Sequence, residues 1–130
     1  RNFLLKNKIG KVFVAPSDVY FSETEVYQPD IIILLNESFS KMKENKIEGA
    51  PDLVVEVLSP STAYYDLKHK KSIYEKHGVR EYWVVDPIDK TVEIFQSQNG
   101  KFHSIGELSK SETAKSLLLA GLEIELEKIF

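Results

Sequence analysis

Three carboxylates interrupt or begin apolar segments, and they are the side chains best placed to do chemistry. Glu56 lies inside the apolar run 53–58. A buried carboxylate is costly there unless it has a cation, a metal or a proton. A structural ion pair, or a place at the rim of a sheet, would account for Glu56 equally well. Asp30 begins the apolar run 31–35, where it can also be read as a strand-entry residue.

The spacing of these acids decides which of them can share an ion. Asp52 and Glu56 stand four residues apart in one predicted strand, which places their Cα atoms about 13 Å apart. Neighbouring strands lie about 4.8 Å apart, so Asp30 on an adjacent strand can approach Glu56. We therefore expect Asp30 and Glu56 to form the pair, with Asp52 as a structural or supporting group.

A basic segment follows the central strand and predicts a helix. Asp66 and Lys70 are separated by four residues, so they share a helix face. If that face points at the end of the strand, Lys70 can reach the carboxylates, orient a metal-bound hydroxide and stabilise charge on a phosphate. Lys68 and Lys71 would favour an anionic partner, although a solvated helix face explains the same charges.

Composition excludes several classes of protein. The chain has 130 residues, no cysteine and a net charge of −3, which fits one soluble domain without a basic coat for nucleic acid. Disulfides and thiolate zinc sites are excluded, and three scattered histidines do not suggest a zinc centre. No apolar run is long enough to span a membrane. The lack of cysteine and of a leader-like start favours the cytoplasm.

Turn signals and hydrophobic runs predict the order of elements. Strands are expected at 11–15, 19–22, 31–35, 52–58, 81–85, 91–96 and 101–105, with a helix over 63–77. The polar segment 36–49 predicts a loop with a short helical turn. The tail predicts a short helix near 114–119, then an alternating stretch over 122–126. This order indicates an α/β or α+β domain, with a mixed sheet and a helix across one face.

Several strings across the chain resemble the Uma-two family of the PD-(D/E)XK nuclease superfamily. They are residues 12–16, 28–30, 50–62, Asp66 with Lys70 and Tyr74, and 78–87. The resemblance implies a restriction-endonuclease-like fold, in which helices flank a central mixed sheet. It also implies hydrolysis of DNA phosphodiester bonds with Mg²⁺ or Mn²⁺.

The resemblance also implies the parts that the site residues play. Asp30 and Glu56 would hold the metal, and Lys70 would complete the catalytic set. The superfamily usually carries its lysine two residues after the second acid, where this chain has Leu58. The supporting residues would be Asp66, Asp52 and Ser59, and the residues that contact DNA would be Lys68 and Lys71.

The resemblance further implies that residues 1–130 form a single nuclease-like domain that lacks most of an N-terminal helical segment, and a homodimer is a reasonable analogy. Two other functions stay open. One is an inactive nuclease-fold module that binds nucleic acid or protein, and the other is a phosphoryl-transfer hydrolase acting on small molecules.

Overall fold

The computed structural model describes residues 2–4, 10–14, 17–44, 46–59, 64–109, 113–115 and 123–125. Within these residues lie thirteen strands, one α-helix and one 3-10 helix. The strands are β1 (Asn2–Leu4), β2 (Gly10–Val14), β3 (Asp18–Tyr20), β4 (Val26–Tyr27), β5 (Ile31–Leu35), β6 (Met42–Lys43), β7 (Lys46–Glu48), β8 (Leu53–Val57), β9 (Glu81–Asp86), β10 (Thr91–Gln98), β11 (Lys101–Ser109), β12 (Thr113–Lys115) and β13 (Glu123–Glu125). The helices are α1 (Tyr64–Lys76) and the 3-10 helix Asn36–Lys41.

A seven-stranded mixed sheet forms the centre of the fold, in the order β1-β2-β5-β8-β9-β10-β11. Its neighbours pair antiparallel, except that β8 and β9 run parallel. Parallel neighbours need a crossover connection, and α1 provides it between β8 and β9. The helix therefore begins soon after β8 and packs across one face of the sheet.

Both faces of the central strands are buried, which explains why β8 is almost continuously apolar. On the face that carries α1, Val54 and Tyr82 pack with Ile73 and Tyr74 of the helix. On the opposite face, a second cluster contains Leu53, Val55, Trp83, Val85, Ile33, Val92 and Ile94. Alternation along β8 therefore sends Val54 and Glu56 to the α1 face of the sheet.

A smaller four-stranded sheet, in the order β4-β3-β7-β6, lies against the same core. Val19 of β3 and Ile47 of β7 are buried in the cluster that contains Tyr74. The Phe21 ring lies 5.3 Å from the Tyr74 ring, measured between centroids. This sheet therefore packs beside α1 and helps to fix the rotation of the helix about its axis.

The predicted fold class is confirmed, and the main differences lie in short elements. The predicted helix near 114–119 is wrong at its start, because Thr113–Lys115 is a strand whose backbone pairs antiparallel with Glu123–Glu125. Residues 116–120 lie outside the described residues. The segment 36–49 contains the predicted helical turn, but also β6 and β7, which were not predicted. One α-helix is present among the described residues, where the resemblance implied several.

No helix among the described residues is long and apolar enough to cross a membrane.

Candidate active site

The register of β5 against β8 brings Asp30 beside Glu56. Ile31 pairs with Val55, so the next antiparallel pair places Asp30 opposite Glu56. The Asp30 amide donates a hydrogen bond to Glu56 Oε1 at 3.3 Å, and the Val57 amide donates to Asp30 Oδ2 at 2.6 Å. Backbone amides therefore hold both carboxylates where the start of β5 meets the end of β8.

Helix α1 sends two donors to the other oxygen of Glu56. Lys70 Nζ lies 3.3 Å from Glu56 Oε2, and the Tyr74 hydroxyl donates to the same oxygen at 2.8 Å. Lys70 and Tyr74 are one helical turn apart, so they project from the same face of α1. The structure thus brings together Asp30, Glu56 and Lys70, as the spacing argument expected, and adds Tyr74.

Glu56 is only 4% exposed, and burial has the largest effect on its pKa. Loss of water raises the pKa of Glu56 above its ordinary value, and the charge of Asp30 adds to this rise. The hydrogen bond from Tyr74 and the ammonium of Lys70 act in the opposite direction. Burial and the adjacent Glu56 raise the pKa of Tyr74 far above its ordinary value, so the phenol stays a donor.

A small cleft of about 200 Å³ opens over these groups. Its lining residues are Gln28, Asp30, Glu56, Val57, Leu58, Ser59, Asp66, Leu67 and Lys70. The Lys70 side chain is 35% exposed, so its ammonium is accessible from solvent while it contacts Glu56. Asp66 and Ser59, both predicted as supporting residues, therefore lie on the same cleft as the acids.

Asp52 does not belong to this cleft. Its side chain accepts a hydrogen bond from the Leu35 amide at 2.8 Å and lies 3.8 Å from Arg80 Nη1. Its carbonyl oxygen accepts bonds from the amides of Arg80 and Glu81. Asp52 therefore ties β5, β8 and the start of β9 together at a different point of the sheet.

The two lysines predicted to contact DNA lie in different surroundings. Lys68 is exposed. The Lys71 ammonium lies 4.0 Å from the centroid of the Phe95 ring of β10, a cation–π distance. Lys68 is thus presented to solvent, whereas Lys71 contributes to the packing of α1 on the sheet.

Sequence reasoning missed the part that Tyr74 plays. Tyr74 follows Asp66 and Lys70 at four-residue intervals, which places all three on one helix face. That spacing was the available signal. Behind Tyr74 lies Tyr82, fully buried at 5.3 Å between ring centroids. Within the described part of the chain, the Tyr82 hydroxyl has no hydrogen-bond partner.

The donor set fits a hard divalent cation. In the ranges that the structure describes, no three His, Cys, Asp or Glu side chains are grouped to hold a metal. Mg²⁺ commonly needs one or two protein carboxylates, since it keeps several waters and takes phosphate oxygens. Asp30 and Glu56 supply such a pair at the cleft.

Comparisons with known proteins show the family and the fold of the chain. The sequence profile of the Uma2 family, described as "Putative restriction endonuclease", matches residues 1–127. The chain belongs to the Uma2 family. The description of the family supports the interpretation of this chain as a nuclease.

A solved structure supports the fold of this Uma2 protein. It is a "putative nuclease belonging to DUF820" from Anabaena variabilis ATCC 29413, with a TM-score of 0.74 and 20% sequence identity. The alignment covers 96% of this chain and 70% of that chain. At this identity, the likeness concerns the fold. No curated protein matches the sequence.

Proposed function

We propose that this Uma2 protein is a metal-dependent endonuclease that hydrolyses phosphodiester bonds of DNA. The observation that carries the proposal is the meeting of Asp30, Glu56 and Lys70 at one solvent-accessible cleft. Two acids from neighbouring strands and an ammonium from a helix form a site with oxygen ligands for a cation and a positive charge for a phosphate.

Asp30 and Glu56 would hold Mg²⁺ or Mn²⁺. When bound, the cation lowers the pKa of a water and offsets negative charge on the phosphate. The Lys70 ammonium, next to Glu56 and open to the cleft, would orient the attacking oxygen and stabilise the developing charge. Asp66 lies one helical turn before Lys70 on the same cleft and would help to orient that ammonium.

Exposed basic residues of α1 would bind the phosphate backbone beside the cleft. Lys68 is exposed, and Lys71 remains a proposed second contact that would have to leave or share its position over Phe95. Each phosphate neutralised releases counterions, so binding is expected to weaken as salt rises.

The test is cleavage of supercoiled and linear DNA with Mg²⁺, Mn²⁺ or EDTA. Wild type is compared with Asp30→Asn, Glu56→Gln and Lys70→Met, which preserve the size of each side chain. Lys76→Met is the matched control, because Lys76 is an exposed lysine of the same helix outside the lining of the cleft. We expect loss of cleavage in the three cleft variants alone. Unchanged activity in all three would refute the site.

A second function, an inactive nuclease-fold module that binds nucleic acid or protein, is favoured by one observation. Protein donors contact both oxygens of Glu56. A purely structural ion pair would look the same. This alternative predicts no thermal shift with Mg²⁺ or Mn²⁺ and no cleavage of DNA, RNA or small phosphodiesters by a folded protein.

A homodimer and a cytoplasmic location complete the proposal. The homodimer rests on analogy with nucleases of this fold, and the absence of cysteine agrees with a reducing compartment. Light scattering on the purified chain tests the first, and fractionation of the source cells tests the second.

A further inference from the structure

We propose that Tyr74 is a positioning residue for Glu56, and that it fixes the carboxylate for a divalent cation to bind between Glu56 and Asp30. The inference rests on the proposed function, because it concerns the same two acids. Tyr74 is fully buried and does not line the cleft. It would therefore act through Glu56 and not through contact with DNA.

Three donors hold Glu56, and they differ in rigidity. The Tyr74 hydroxyl is 2.8 Å from Oε2, Lys70 Nζ is 3.3 Å from Oε2, and the Asp30 amide is 3.3 Å from Oε1. Tyr74 makes the shortest of these contacts. The Lys70 side chain has four rotatable bonds and is partly exposed, so its position is easily changed.

The Tyr74 ring is fixed by the rings around it. Its centroid lies 5.3 Å from the Phe21 ring, 5.3 Å from the Tyr82 ring and 6.2 Å from the Tyr27 ring. Residues that lock a metal-ligating side chain commonly change metal affinity by about 10- to 100-fold when they are removed. Because three aromatic neighbours pack against the Tyr74 ring, its hydroxyl has the fixed position that such a residue needs.

Tyr82 provides a matched control for this inference. It is also a fully buried tyrosine on the α1 face of the sheet. Its hydroxyl makes no hydrogen bond to any of the described residues. Tyr82→Phe therefore removes the same atom as Tyr74→Phe, but leaves every donor to Glu56 in place.

The experiment is calorimetric titration of MnCl₂ into metal-free wild type, Tyr74→Phe and Tyr82→Phe, without DNA. We expect Kd for Mn²⁺ to rise about 10-fold or more in Tyr74→Phe, and to stay within about twofold of wild type in Tyr82→Phe. DNA cleavage by Tyr74→Phe should then recover as Mn²⁺ approaches saturation, because the variant retains its metal ligands and Lys70.

The outcomes separate this inference from the proposed function. A wild type that binds no Mn²⁺ would overturn both. Tight binding by wild type with an unchanged Kd in Tyr74→Phe, or an equal rise in both variants, would overturn the inference alone. If Tyr74→Phe does not fold, the variant Tyr74→Phe/Glu56→Gln decides. Refolding of that variant supports a specific link to Glu56, and continued unfolding contradicts it.

Discussion

Two buried tyrosines should respond in opposite ways to removal of the same atom. Tyr74 donates to Glu56, whereas the Tyr82 hydroxyl has no partner among the described residues. A hydrogen bond to a charged group contributes about 1.5–3 kcal/mol to stability. Burying a hydroxyl without a partner costs about 1–3 kcal/mol. Tyr74→Phe should therefore destabilise the metal-free protein, and Tyr82→Phe should stabilise it.

The sizes of the two effects follow from the length of the chain. Unfolding entropy is about 2.1 cal/mol/K per residue, or about 0.27 kcal/mol/K for 130 residues, so 1 kcal/mol corresponds to about 4 °C in Tm. Tyr74→Phe should lower Tm by about 6–11 °C. In Tyr82→Phe the void left by the oxygen costs only about 0.3 kcal/mol. Its Tm should rise by about 3–10 °C.

The assay is thermal and urea unfolding of both variants at pH 7 in EDTA. Urea midpoints check that the slopes of the transitions are unchanged, so that the differences report stability. A fall in Tm for Tyr82→Phe comparable to that for Tyr74→Phe would refute the reasoning, because it would mean that both hydroxyls make stabilising bonds.

Three further predictions test the electrostatics and the packing. Burial raises the pKa of Glu56 in the folded protein. The free energy of unfolding of wild type therefore decreases as the pH rises above about 4.3, the pKa of a Glu in the unfolded chain. The stability of metal-free Glu56→Gln relative to wild type should therefore increase between pH 4 and pH 8, and a difference independent of pH would contradict this. Lys71→Gln should lower Tm by about 2–4 °C through loss of its cation–π contact. Lys68→Gln should leave Tm unchanged. It should reduce the slope of log K for DNA binding against log salt concentration by about 0.9. Asp52→Ala should cost about 1–3 kcal/mol in urea unfolding, since it leaves the Leu35 amide unpaired, and cleavage per folded molecule should stay at the wild-type level.

The long elements were predictable because local and global signals agree in them. The run 53–58 is continuously apolar apart from Glu56, and β8 is buried on both faces. Strands β6 and β7 were not predictable, since two- and three-residue strands depend on pairing partners that lie elsewhere in the chain. The error at 113–115 has the same cause, because pairing with β13 overrides local helix preference.

The carboxylate pair was predictable for a physical reason, whereas Tyr74 was not. Adjacent strands have a fixed spacing, so an acid that begins one apolar run can approach an acid inside another when the two runs are neighbouring strands. The bond from Tyr74 depends on how far α1 is rotated about its axis. That rotation is determined by packing against Phe21 and the small sheet, contacts between segments about fifty residues apart in sequence.

The source of the ammonium leads to a last prediction. Leu58 follows Glu56 by two residues, its amide continues the ladder onto Val85, and it lines the same cleft as Lys70. Residues two apart on a strand share a face, so a lysine at 58 projects to the same side as Glu56. If the chemistry needs a positive charge at the cleft and not a helix residue as such, Lys70→Met/Leu58→Lys should recover part of the cleavage that Lys70→Met loses.

The control for this exchange is Lys70→Met/Leu58→Met, which changes the same two positions without restoring charge. Recovery in the lysine variant alone would show that the position of the ammonium in space matters more than its place in the chain. Equal inactivity of both folded variants would show that Lys70 is needed on α1 itself, where it shares Glu56 Oε2 with Tyr74. In that case the helix face that carries Asp66, Lys70 and Tyr74 acts as one unit.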